Sequence, residues 1–474
     1  MQHIRLRGFR TLRNGGVAIG CMALAACFPN TQSTAAGNDQ PGAAVTPGLQ
    51  SVKVRGCKTD DGGLPSMAPN GYYTNGATVC AADGTPHLFH GVDRPSLEWS
   101  TGGDHIGPAD FAAMAGWNAN VVRIALNQDF WLSDAALADP GYPALVAQAV
   151  SWAEAAGLDV ILDLHWSDRG DDSVTKFGDT AKQDTSGGSN QQQMADTNSL
   201  RFWTQLAGQF KNDGRVLFEL YNEPNGIGWG PWLNGGMAAG FQVVGMQQLY
   251  DAIRGEGAYN VVIAGGLDWA FDLSQVGSNP INGFNVMYAT HPYDQSGNLP
   301  GLWPQTFGYL ATNDLAPVIV TEFGDGRAMC TSDWDTQLIQ FADANQISWT
   351  AWAWYPAGCS FPAIISDWNY TPTDQGQVVK NALATYPKYV PTTAADGGLD
   401  AGDGGPASFG DASVDAQVEA PPGATSAGEA GDDAASSGDA GADATLIVDA
   451  AAAVEAAADA SDASPATGPD GQTD

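Results

Sequence analysis

Two glutamates in this 474-residue chain each stand one polar residue beyond an apolar run. Glu223 sits in Leu220-Tyr221-Asn222-Glu223-Pro224, and Glu322 in Val320-Thr321-Glu322-Phe323-Gly324. Other apolar runs also end in polar or aromatic groups that packing does not require: Arg123, His165 with Trp166, His291 with Tyr293, and Trp352 with Trp354. Two carboxylic acids brought to one mouth can supply an acid/base and a nucleophile for cleaving a glycosidic bond. Tryptophans beside them would present flat apolar faces to the C–H faces of sugar rings, whose hydroxyls need hydrogen-bond partners.

Positioning these groups requires elements that end together. Strand patterns occupy residues 87–93, 120–125, 159–164, 216–221, 260–264, 285–290, 317–321 and 348–354. Several are near-continuous apolar runs, such as Val-Ile-Leu at 160–162, which fits strands buried on both faces of a parallel sheet. Helical periodicity fills residues 108–117, 143–156, 197–211, 237–255 and 333–345, whereas 268–283 is short and helix-poor. Eight strands in βα alternation predict an α/β fold, a single (β/α)8 TIM barrel whose reactive groups stand at the C-terminal ends of the strands. A doubly wound open sheet is the competitor. It would show a glycine-rich phosphate loop after the first strand, and Gly91-Val92-Asp93-Arg94-Pro95 offers none.

The composition divides the chain further. Residues 391–474 hold 17 of the 53 acidic residues, no Lys or Arg and one aromatic, Phe409. The rest keeps 36 acids against 19 bases, a net charge of −17 that argues against nucleic acid as a partner. No apolar stretch of about 18 residues follows the first 30, so a multi-span membrane protein is excluded too. Residues 1–26 read as a signal segment, with Arg5, Arg7, Arg10 and Arg13 ahead of an apolar run. Leu24-Ala25-Ala26-Cys27 looks like a bacterial lipobox, which implies a lipid anchor at Cys27; an ordinary secretory signal is the alternative. Either predicts export, to the cell surface or outer membrane as a lipoprotein, or as a secreted protein. Residues 27–50 form a polar tether, 51–390 the barrel domain and 391–474 an acidic low-complexity tail unable to bury a core. In an oxidising compartment Cys57, Cys80, Cys330 and Cys359 allow three pairings, of which proximity favours Cys57–Cys80 with Cys330–Cys359.

Taken in order, the strand-end motifs resemble glycoside hydrolase family 5, the cellulase-type retaining β-glycanases with paired glutamates on strands four and seven. Leu220-Tyr221-Asn222-Glu223-Pro224 looks like that family's Asn-Glu-Pro signature and Val320-Thr321-Glu322-Phe323-Gly324 like its nucleophile segment. Val122-Arg123-Ile124, Asp163-Leu164-His165, His291-Pro292-Tyr293 and Trp349-Thr350-Ala351-Trp352 match its remaining signature positions, and the similarity covers about residues 71–390. The resemblance implies Glu223 as acid/base and Glu322 as nucleophile. Chemistry then asks that Glu223 stay protonated and Glu322 ionised, with Arg123 and Tyr293 holding the latter. A retaining pair should lie about 5–5.5 Å apart, against ~6.5–9.5 Å in an inverting one.

Asn222 is placed to bind the sugar 2-hydroxyl, and His165 and His291 either position substrate and nucleophile or are core histidines. Trp352 matches the family's strand-eight sugar platform. Trp99, Trp166, Trp229, Trp232, Trp269 and Trp354 are candidates for further subsites, whereas Trp117, Trp152 and Trp203 lie in helical patterns and read as core. Glu98 is either a distal sugar contact or a surface acid. Residues 167–193 make a long loop expected to wall or cover the cleft. Its Asp171, Asp172, Asp179 and Asp184 match no EF-hand spacing, so no metal or cofactor is expected. The expected protein is a monomeric endo-β-1,4-glucanase acting on a polysaccharide or oligosaccharide by double displacement. A β-mannanase is the alternative within the family, and a non-hydrolytic glycan-binding surface protein the alternative outside it.

Overall fold

The computed structural model describes residues 56–57, 66–135, 137–167, 192–294, 297–325, 331–359 and 361–388. The lipobox at Cys27, the tether, the acidic tail, Cys330, and Asp171, Asp172, Asp179 and Asp184 lie outside the described residues.

Eight strands close on one another in chain order: β1 (His90–Arg94), β2 (Val121–Asn127), β3 (Asp159–Trp166), β4 (Val216–Glu219), β5 (Val262–Gly265), β6 (Val286–Thr290), β7 (Val318–Val320) and β8 (Ser348–Ala351). Every pairing is parallel, and β8 returns to β1. Helices α1 (Pro108–Gly116), α2 (Tyr142–Ala155), α3 (Thr197–Phe210), α4 (Met246–Gly255), α5 (Asp333–Ala344) and α6 (Asp374–Leu383) accompany them. Each strand overlaps one of the eight predicted runs, so the (β/α)8 expectation holds. Only a three-residue 3-10 turn, Val276–Ser278, stands between β5 and β6.

Successive strand residues point to opposite faces. Val122, Ile124, Val160, Leu162, Val216 and Phe218 face outward and pack with Phe111, Val146, Phe202 and Leu249 of the helices. Their neighbours Val121, Ile161, Leu217, Ile263, Met287 and Ile319 face inward and form a separate cluster with Phe89. Burial on both faces, worth roughly 1.5–3 kcal/mol for each large aliphatic side chain, is why the runs are apolar almost without a break.

The cluster inside the barrel also takes in Tyr72, Val79 and Ala81. They belong to a three-stranded antiparallel sheet (Tyr72–Asn75, Thr78–Ala81 and Pro86–His87) that the strand reading overlooks. The Cys57–Cys80 disulfide fastens its second strand, as proximity suggested. Cys359 is also disulfide-bonded.

One element differs in kind. Residues 237–255 read as a single helix, but a hairpin (Gly236–Ala238 with Phe241–Val243) precedes α4. The glycines explain it. Gly240 turns the hairpin at φ +88°, and a Cβ on Gly245 would sit 2.4 Å from the Leu233 carbonyl oxygen.

Candidate active site

Two residues above the apolar inward positions, the same strand faces turn polar. Val121 gives way to Arg123, Ile161 to Asp163, Leu217 to Glu219 and Ile319 to Thr321. Arg123 is the hub. Its Nε donates to Glu219 Oε2 at 2.6 Å, and Nη1 to Glu322 Oε1 at 2.7 Å. Its Nη2 meets Asn222 Oδ1 at 2.6 Å and Asp163 Oδ2 at 2.9 Å. A guanidinium this deeply buried persists only with every N–H paired. Burial works against its charge, but Asp163, Glu219, Glu322 and Asp93 outweigh that and hold the proton on more firmly.

One cation among so many acids leaves negative charge to be shed. Burial pushes Asp163 up to about 7 despite Arg123, and pushes Asp93 well above the carboxylate range. Both oxygens of Glu322 accept hydrogen bonds, one from Arg123 and one from the Tyr293 hydroxyl, each at 2.7 Å.

Glu223 lies just past β4, its side chain 17% exposed. Burial raises its pKa to about 8. Its Oε1 is 2.9 Å from Nδ1 of His291, a ring that burial holds neutral, at about 4. One oxygen each of Glu223 and Glu322 and one His291 ring nitrogen lie within 4.8 Å of one another. A cation could span that distance, but Arg123 and Tyr293 already engage both Glu322 oxygens, and His291 uses both ring nitrogens. The arrangement suits proton transfer and nucleophilic attack better than metal binding.

His165 pairs Nδ1 with Asp163 Oδ2 at 2.7 Å and faces the Asn222 amide with Nε2 at 3.4 Å. Its ring lies on Trp352 at 5.4 Å between centroids and 8° between planes. Burial depresses its pKa to about 3, so it presents a neutral face beside the pair. Seven of the polar residues singled out in the sequence therefore meet in one constellation: Glu223, Glu322, Arg123, His165, Asn222, His291 and Tyr293.

The tryptophans divide. Trp352 clusters with Tyr293 and Phe361, against which Trp99 and Tyr355 pack. Trp99 lies 6.3 Å from Trp166 and 5.3 Å from Tyr355, and one oxygen of Asp104 accepts from both the Trp99 indole and the Tyr355 hydroxyl at 2.9 Å. Trp354 is a correction. It is wholly buried, packs on Trp117 at 4.6 Å and donates to Asp110 at 2.8 Å, so it belongs to the core. Trp232 is core as well, bonded to the Gly265 carbonyl, and Trp229 packs on it at 4.9 Å rather than on the Trp352 cluster. The Trp269 backbone N–H donates to the Pro224 carbonyl, beside Glu223. Glu98 is neither a sugar contact nor a surface acid, because it is buried and its Oε2 accepts from the Ser96 N–H at 2.7 Å. Of the loop at 167–193, residues 168–191 lie outside the described residues. Its two ends are held by the Tyr221 hydroxyl, which contacts Ser167 Oγ and the Gln192 carbonyl.

Sequence reasoning missed Glu219, Thr321 and the structural role of Asp163. Counting in twos from Arg123-like strand positions would have found them, since each occupies the inward position above an apolar one.

A parallel barrel with glutamates just beyond its fourth and seventh strands defines a class of glycoside hydrolase. The profile of the cellulase family, glycosyl hydrolase family 5, matches residues 80–358. The chain belongs to that family. Among relatives, the endoglucanase of Paenibacillus polymyxa is 25% identical over 353 residues, covering 63% of this chain and 83% of that protein. Endoglucanase E-5 of Thermobifida fusca is 25% identical over 295 residues, 58% of this chain and 54% of that protein. Endoglucanase C of Evansella cellulosilytica shares 25% over 331 residues, but the match spans only 38% of its length. A β-glucanase from Saccharophagus degradans has the same fold, with a TM-score of 0.53 at 22% identity over 68% of this chain and 97% of that one.

Proposed function

We propose that the protein is an exported retaining endo-β-1,4-glucanase, with Glu223 as acid/base and Glu322 as nucleophile. The observation that carries this is the meeting of two differently held carboxyls, one oxygen of each lying within 4.8 Å of the other, close enough for both to reach one anomeric centre and its leaving oxygen. Glu223, neutral up to about pH 8, donates its proton to the leaving glycosidic oxygen while a Glu322 oxygen attacks the anomeric carbon. The glycosyl ester carries no charge, and ionised Glu223 then removes a proton from the water that hydrolyses it. Trp352 would underlie the sugar, with the Asn222 amide toward its 2-hydroxyl.

Support for glucan comes from the relatives' names and from the Saccharophagus β-glucanase, whose structure is also known with cellotetraose. Trp99 and Trp166 would continue the platform to a neighbouring sugar. We infer export and lipidation at Cys27 from the lipobox-like segment, and a disulfide among the described residues agrees with an oxidising compartment.

The test is a panel of soluble cellulose derivative, mannan, xylan, laminarin and lichenan, with the first-formed anomer read by NMR. Cleavage of the cellulose derivative with release of the β-anomer is expected. Preference for mannan would change the substrate, an initial α-anomer would exclude double displacement, and inactivity on all five would favour a glycan-binding role.

A further inference from the structure

His291 stands between Glu223 and a buried partner of its own, and the hydrogens along that line can be counted. Its Nδ1 faces Glu223 Oε1 and its Nε2 faces Thr321 Oγ1, each at 2.9 Å. Thr321 is fully buried, and its hydroxyl lies 2.9 Å from Glu219 Oε1. The other Glu219 oxygen takes the Arg123 Nε–H at 2.6 Å, the environment of a carboxylate rather than a carboxylic acid. A threonine hydroxyl has one hydrogen to give, and a carboxylate is a stronger acceptor than an imidazole nitrogen. Once that hydrogen goes to Glu219, Thr321 Oγ1 can only accept from His291, which fixes the imidazole as the Nε2–H tautomer. Nδ1 is then a lone pair, and its contact with Glu223 is a hydrogen bond only if Glu223 supplies the hydrogen.

We propose that Thr321 is a positioning residue for proton transfer, coupling Glu219 to His291 so that the imidazole presents an acceptor to Glu223 and keeps it in its acid form. This rests on Glu223 being the acid/base. Glu223 is faced by His291 from the end of β6 and Glu322 from the end of β7, with Arg123, Asp163 and Glu219 of β2, β3 and β4 further off. His291 is faced by Glu223, Thr321 and Glu322, the last at 3.7 Å, with Arg123, Glu219 and His165 beyond. Tyr293 serves Glu322.

Replacing Thr321 with valine keeps its shape and removes the hydroxyl. His291 can then carry its hydrogen on Nδ1, donate to Glu223 and stabilise the ionised form. The alkaline limb of kcat/KM should move down by about one pH unit, with the acid limb in place. Above the wild-type limb, turnover of cello-oligosaccharides, whose leaving group needs a proton, should then fall about ten-fold, while dinitrophenyl cellobioside, whose leaving group needs none, stays near wild type. Thr321→Ser should restore the wild-type profile. Equal losses on both substrates, or an unmoved alkaline limb, would overturn the proposal. The nitrogen shifts of His291 in the wild-type protein test it without any variant: Nε2–H is expected, and Nδ1–H would refute it. If Glu223→Gln kept full activity on cello-oligosaccharides, the acid/base reading itself would fail. If that variant is inactive and Thr321→Val unchanged, only the role of Thr321 falls.

Discussion

The floor and the mouth of the barrel are made by the same strands and obey opposite rules. On β2, β3, β4 and β7 a single two-residue step separates Val121 from Arg123, Ile161 from Asp163, Leu217 from Glu219 and Ile319 from Thr321. Below the step, contacts are apolar and non-directional, and each side chain contributes through its own burial. Above it, four acids and an amide share one guanidinium, so their charges behave as a unit. The lesson is that stability and chemistry are separated along the strand axis rather than between strands.

Breaking one position on each side of the step should show this most strongly. Arg123→Leu strips Glu219, Glu322 and Asp163 of their shared cation. We expect turnover to fall about 10²–10³-fold or more and stability by about 3–5 kcal/mol. Leu217→Ala should cost a comparable ~2–5 kcal/mol through the cavity it leaves, yet the folded enzyme should turn over at nearly the wild-type rate. Denaturant melts paired with active-site-normalised kinetics would check both, and a crippled Leu217→Ala enzyme would erase the distinction.

The mouth should also reveal itself in the pH dependence of stability. Glu223 ionises above its ordinary value of 4.5 in the unfolded chain but only near 8 in the folded one. Between those values the folded state holds a proton that the unfolded state has lost, so rising pH favours unfolding across this window. Glu223→Gln removes the effect. The variant should match the wild type below pH 4.5 and exceed its stability at pH 8 by about 4 kcal/mol. Melting temperatures of the two proteins across that range test it, and a constant difference would mean that burial does not hold Glu223 neutral.

The smallest contrast lies among the tryptophans. Trp99→Ala should raise KM for long cello-oligosaccharides several-fold and leave the melting temperature nearly unchanged. Trp354→Ala should cost about 3–5 kcal/mol and leave KM in place. Reversed outcomes would move the substrate platform to the other ring.

The fold was legible because burial on both faces writes strands as unbroken apolar runs, and the site was legible because polar groups end those runs. The alternation also explains what was lost. Thr321 and Glu219 resemble incidental polar residues until Arg123 sets the inward parity. Trp352 and Trp354 share a parity, but β8 ends at Ala351, and beyond it the chain sends one ring to the mouth and the other into the core. Glu98 looks exposed in a loop because nothing in its sequence reveals the turn that folds its carboxylate onto the Ser96 N–H. The hairpin before α4 depends on a backbone approach at Gly245 that no periodicity records.

Double displacement requires above all that Glu322 form a covalent bond to sugar. Incubation with a 2-deoxy-2-fluoro-β-cellobioside bearing a good leaving group, followed by peptide mass mapping, tests this directly. One fluorocellobiosyl group per molecule is expected on the peptide containing Glu322, and none in Glu322→Gln. A label on another residue, or rapid inactivation without any adduct, would contradict it.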